Sequence, residues 1–104
     1  MCHGQSQALR EVQRCIRALH CPTRWRIIQC IGAEERSTRE IFEELGLGEE
    51  ISLAGLYYHL SALKGAGIVE VASYRESKAG TPEKVWRLKT RRIVIDLLED
   101  CEVK

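Results

Sequence analysis

Leu56-Tyr57-Tyr58-His59-Leu60-Ser61-Ala62-Leu63-Lys64-Gly65-Ala66-Gly67-Ile68-Val69 describes a helix that stops at a glycine and passes directly into a strand. Leu53, Leu56, Leu60 and Leu63 recur at three- and four-residue steps, which places them on one inward face. Ser52 precedes the first of them as a helix cap, so the helix spans Leu53 to about Ala66. Past Gly67, Ile68-Val69-Glu70-Val71 alternates and is rich in β-branched residues, the signature of a strand. Val85-Trp86-Arg87-Leu88 reads the same way. The polar stretch Arg75 to Lys84 lies between them, punctuated by Gly80 and Pro82, so the two strands form a hairpin with a long, basic tip.

Working back toward the N-terminus, Ser37-Thr38-Arg39-Glu40 has the form of a capping box. It opens a short helix from Thr38 to Leu45 that buries Ile41, Phe42 and Leu45, and Gly46 is a natural left-handed stop. A second helix begins at Pro22, carries Trp25, Ile28 and Ile31 on one side with Ile27 nearby, and ends at Gly32. A first helix runs from about Gln5 to His20, with Ala8, Leu9, Val12, Cys15, Ile16 and Leu19 on one face. At the other end Thr90 caps a last helix on which Val94, Leu97, Leu98 and Cys101 share a face. The expected fold is mainly α with a β-hairpin: four helices, two strands and a fifth helix, in the order of a winged helix-turn-helix.

The chain has 104 residues, which fits one domain, 1–104, with a single modest core. No apolar run approaches the ~20 residues of a membrane span. The start, Met1-Cys2-His3-Gly4-Gln5-Ser6, lacks the basic-then-apolar pattern of a secretory signal, so a cytoplasmic location is expected and no membrane partner. Net charge is +1, but it is segregated. Residues 1–50 carry 7 basic and 8 acidic groups, residues 51–92 carry 8 and 3, and residues 93–104 carry 1 and 4. A contiguous positive segment is what a phosphate-facing surface requires, although a merely solvated face has the same look. Enzymatic function is not expected. A catalytic thiol would need a nearby base, only His3, His20 and His59 are available, and the core leaves no obvious substrate pocket.

Two stretches carry a family resemblance. Leu19-His20-Cys21-Pro22-Thr23-Arg24-Trp25-Arg26-Ile27-Ile28 resembles the "DPTRxxIL" opening of ArsR-type winged-helix regulators. The stretch from Leu56 to Val69 resembles that family's "VSxHLxxLxxAGLV", in a Tyr-Tyr-His-Leu version similar to that of many archaeal members. The match covers roughly residues 16–90. The resemblance implies a transcriptional regulator that binds double-stranded DNA as a homodimer, built from the terminal helices at about 5–20 and 90–102. Those helices carry the apolar stripes Leu9, Val12, Ile16 and Val94, Leu97, Leu98, for which a domain this small has little core; they suit a partner surface, or a cap on the core of a monomer.

In such a fold the helix at about 52–66 enters the major groove and the basic wing, 72–85, lies on the flanking backbone. The outward face of the helix holds Ser52, Ala54, Gly55, Tyr58, His59 and Ala62. Small side chains at Ala54 and Gly55 would allow close approach to base edges, and Ser52 sits where a helix N-terminus favours phosphate. Tyr57 and Tyr58 can donate to phosphates or pack on sugars; Tyr57, nearer the inward face, equally suits packing on the hairpin. His59 reads as a phosphate or base contact, or as a half-buried group bonded within the motif. Arg39, Lys64, Arg75, Lys78 and Lys84 are the expected sources of phosphate affinity. The helix holds no Arg, Asn or Gln, the usual bidentate base readers, so wing and DNA shape would carry specificity, or specificity is modest. The same fold used as a protein-interaction module remains an alternative.

The five cysteines form no CxxC, and the third helix lacks the Cys-x-Cys of the family's metal sensors. No cofactor is required. Cys2, Cys15 and Cys101 could meet across a dimer as a soft-metal or redox site. Cys15, Cys30 and Cys101 also suit the role of small core residues.

Overall fold

The computed structural model describes residues 7–46, 50–76 and 80–94. The elements follow in the order α1 (Gln7–Leu19), α2 (Pro22–Ile31), β1 (Arg36–Ser37), α3 (Thr38–Glu44), α4 (Leu53–Gly65), β2 (Val69–Glu76) and β3 (Pro82–Leu88). This is a winged helix-turn-helix. Among the described residues no helix is long and apolar enough to cross a membrane.

Local chemistry fixes most helix ends. Pro22 occupies the first turn of α2, where its missing N–H is no loss. Gly32 closes that helix at φ 54°, with its N–H donating to the Ile28 carbonyl. The capping box at α3 is complete: the Glu40 N–H donates to Ser37 Oγ at 3.1 Å, and the Ser37 N–H donates to Glu40 Oε1 at 2.8 Å. Gly46, at φ 61°, then turns the chain out of α3. The Ser52 hydroxyl caps α4 by accepting from the Gly55 N–H.

Leu56, Leu60 and Leu63 of α4 are fully buried and meet Ile27 and Ile31 of α2, Ile41 of α3 and Val69 and Trp86 of the wing in one core. The inward pair on α2 is thus Ile27 and Ile31, one turn apart. Trp25 is 47% exposed, and its indole N–H donates to the Leu19 carbonyl at 2.8 Å.

The wing departs from expectation in three ways. Its strands are longer: β2 reaches Glu76 and β3 begins at Pro82, so Arg75 and Lys84 sit on strands. The sheet has a third strand. In the order β1-β3-β2, Arg36 pairs with Trp86 and Ser37 with Val85, all antiparallel. A bulge at Ala72 interrupts the β2–β3 register between Val71 and Ser73. At the root of the wing the buried Trp86 donates its indole N–H to Thr38 Oγ1 at 2.8 Å, which ties the sheet to the start of α3.

The last helix does not begin at Thr90. Residues 90–94 are irregular, and the Thr90 hydroxyl donates to the Arg92 carbonyl at 2.8 Å instead of capping a helix. Leu97, Leu98 and Cys101 lie outside the described residues, as do Cys2 and Lys78.

Candidate nucleic-acid interface

α4 presents a continuous outer face. Ser52, Ala54, Tyr58, Ser61 and Lys64 are exposed, Tyr58 at 67%. Gly55 is half-buried, and a Cβ there would stand 3.2 Å from the Ile51 Cβ. Its small size therefore serves the packing of Ile51, whereas Ala54 is the small residue on the open face. Lys64 stands in the last turn of α4, away from its capped start.

His59 is half-buried, and its Nδ1 accepts a hydrogen bond from Arg24 Nε at 3.0 Å. That bond puts the imidazole proton on Nε2. Burial, then the Arg24 charge, lowers the His59 pKa below its ordinary value, so the ring is neutral at pH 7. Tyr58 packs edge-on to His59, and the Arg24 guanidinium lies 5.8 Å from the Tyr58 ring centre. The two motifs quoted from the sequence thus meet through one hydrogen bond. Arg24 was not among the expected site residues, although it stands in the first of those motifs. Two residues on, Arg26 donates to Glu50 Oε1 at 3.0 Å and to the Leu45 carbonyl at 2.9 Å, clamping both ends of the α3–α4 turn. A single turn of α2 therefore sets the position of α4 and of the turn before it.

A cleft of about 710 Å³ separates the start of α3 and α4 from the wing. Tyr57 lines it, as do Arg39, Arg75 and the carboxylates Glu40, Glu43, Glu76 and Glu83. Arg75 pairs with Glu40 at 3.2 Å, and Glu83 Oε2 accepts from the Arg39 backbone N–H at 2.8 Å. Hydrogen bonding to the Ser37 N–H, aided by Arg75, holds the Glu40 carboxyl below the usual carboxylate range. Arg87 is likewise held by Glu70 at 2.7 Å and Glu35 at 3.8 Å. The positive excess of residues 51–92 is thus partly neutralised along the wing, by Glu40 and Glu35 from outside that segment as well as by Glu70 within it. These pairs are solvent-exposed, so a phosphate can exchange for their carboxylates at small cost. Lys84 keeps its ammonium 5.8 Å over the Trp86 ring, and Arg39 is exposed.

Around α1, Leu9 is 39% and Ile16 53% exposed and Val12 is half-buried, and beyond the wing Val94 is 76% exposed. Ile16, Leu19, Trp25 and Ile93 line an apolar groove of about 330 Å³ there. Cys15 borders the groove and donates its thiol proton to the Ala66 carbonyl at 3.4 Å. Cys30 is a packing residue: burial, then the Glu44 carboxylate, pushes its thiol pKa up. Among the described residues no group of three or more His, Cys, Asp or Glu could hold a metal.

A family model described as a helix-turn-helix domain matches residues 18–72, from the end of α1 into β2. The chain belongs to the helix-turn-helix domain family. The winged version of that domain is evident among solved structures. A possible transcriptional regulatory protein (fragment 1–100) from Mycobacterium bovis superposes with a TM-score of 0.67 at 25% identity, covering 84% of this chain and 83% of that one. The solution structure of the homodimeric winged helix-turn-helix DNA-binding domain of a possible ArsR-family transcriptional regulator, also from Mycobacterium bovis, gives 0.62 at 26% identity over 86% and 77%. This neighbour carries the same family label that the two sequence motifs resemble. HlyU from Vibrio cholerae shares the fold, with a TM-score of 0.60 at 20% identity over 83% of each chain. No curated protein matches the chain in sequence.

Proposed function

We propose that this helix-turn-helix protein is a transcriptional regulator that binds double-stranded DNA as a homodimer in the cytoplasm, without catalysing a reaction. α4 lies in the major groove, and the β2–β3 wing follows the flanking backbone. The observation that carries this is the outer face of α4: small side chains around a projecting Tyr58, on a helix held rigidly from behind by three fully buried leucines. The M. bovis neighbour described as a homodimeric DNA-binding domain supports both parts of the reading. The apolar groove beside α1, with Ile16 and Trp25 half exposed, supplies a surface for the second protomer.

The recognition helix lacks the bidentate base readers, so phosphate contacts and DNA shape supply most of the affinity. Fluorescence anisotropy with a random-sequence duplex at two salt concentrations tests the reading, using reduced protein. The expected result is binding that weakens steeply with salt. A dimer that binds no duplex at low salt contradicts it and points to a protein-interaction role for the Tyr57–Tyr58 face.

A further inference from the structure

The arginines of this fold differ in how their charge is met. Arg26 pairs with Glu50, Arg36 with Glu34 and Glu44, Arg75 with Glu40, and Arg87 with Glu70 and Glu35. Arg24 is held differently. Its Nη1 donates to the Ala18 carbonyl at 3.1 Å and its Nε to His59 Nδ1 at 3.0 Å. Both acceptors are uncharged, and among the described residues no carboxylate forms an ion pair with Arg24. A guanidinium that served only to join α2 to α4 would be satisfied equally by a carboxylate, which would cancel its charge. Here the side chain is fixed in place while the full positive charge is kept. It is kept beside Tyr58, an exposed side chain on the outer face of α4, with the guanidinium carbon 5.8 Å from the ring centre.

We propose that Arg24 is a phosphate contact of the DNA interface, presented from α2 at the margin of α4 and positioned by His59 and Ala18. The assignment rests on the reading of α4 as the groove-facing helix. The remaining guanidinium edge takes a backbone oxygen of the strand that passes Tyr58, and a fixed planar fork loses less freedom on binding than a flexible lysine does. His59 acts through Arg24: its unprotonated Nδ1 orients the fork.

The test measures duplex affinity across a salt series for the full chain and for Arg24→Gln and Arg24→Lys, with thermal melts in parallel. A phosphate contact predicts that Arg24→Gln binds severalfold more weakly on every sequence and that its log–log salt slope falls by about one. Arg24→Lys retains the slope, because it keeps the charge while losing the His59 bond. An Arg24→Gln slope equal to that of the unsubstituted chain, or an Arg24→Lys slope that falls equally, makes Arg24 a structural tie and overturns the assignment while leaving DNA binding intact. An unsubstituted chain that binds no duplex removes the functional reading and this inference together. Labelling of the unsubstituted chain with phenylglyoxal, read by mass spectrometry, is independent of how the variants fold. Duplex is expected to protect Arg24, and unchanged labelling counts against the contact.

Discussion

In the proposed function α4 and the wing both meet DNA, yet they are held by different forces. α4 is fixed from behind by Leu56, Leu60 and Leu63, all fully buried, and from the side by Arg24 of α2, while Arg26 holds the turn that precedes it. The wing is anchored at its root by Trp86 and Thr38, and beyond that by exposed ion pairs such as Arg75–Glu40. The helix is therefore a rigid reference surface whose geometry depends on apolar burial. The wing is an electrostatic arm whose internal pairs can be traded for phosphates. Changes behind α4 should act on stability, and changes on the wing should act on salt-dependent affinity.

The largest effect is expected behind α4. Leu60→Ala should cost about 2–5 kcal/mol in chemical denaturation, because a fully buried leucine leaves a cavity. A loss below about 1 kcal/mol would show that α4 is not the fixed element of the pair. Next is the wing root. Thr38→Val leaves the buried Trp86 indole N–H without its acceptor, for a loss of about 1–3 kcal/mol. The same variant should expose the β1–β3 amides to faster hydrogen exchange, and unchanged exchange would mean that backbone pairing alone holds the wing.

Smaller again is a pH effect. The folded state holds the His59 pKa below its ordinary value of 6.5, so the unfolded chain binds the proton more readily. The stability contributed by neutral His59 is complete above about pH 6.5 and is lost as pH falls toward the lowered folded-state pKa. Urea midpoints across this range should fall with acid in the unsubstituted chain and fall less in His59→Gln. Parallel curves would remove His59 from the account. The smallest stability change is expected at the wing surface. Lys84→Gln should leave the denaturation midpoint nearly unchanged while lowering the salt slope of duplex binding by about one. A destabilised Lys84→Gln with an unaltered slope would reverse the assigned division between helix and wing.

The features legible in the sequence were those set by neighbours along the chain. The Ser37–Glu40 box, the Gly32 and Gly46 stops, the Ser52 cap and the leucine stripe of α4 all depend on contacts within a few residues. What escaped was non-local. β1 is two residues long and exists only because Arg36 and Ser37 find Trp86 and Val85 some fifty positions away. The outer parts of β2 and β3 are polar on both faces, so no alternation marked them as strand, and Pro82 read as a loop although it begins one. In the candidate site, Tyr58 was legible from helix periodicity. Arg24 was not, because its significance lies in reaching His59 on another helix.

The measurement that tests the central claim most directly is an NMR titration of isotope-labelled protein with a random-sequence duplex at low salt. The account predicts that the largest amide shifts fall on the outer face of α4, around Ala54, Tyr58 and Ser61, and on the wing strands near Arg75 and Lys84. Arg24 is expected to follow, while Ile16 and Trp25 in the apolar groove beside α1 stay still. Shifts concentrated on that groove with α4 silent, or no shifts at all, would contradict it.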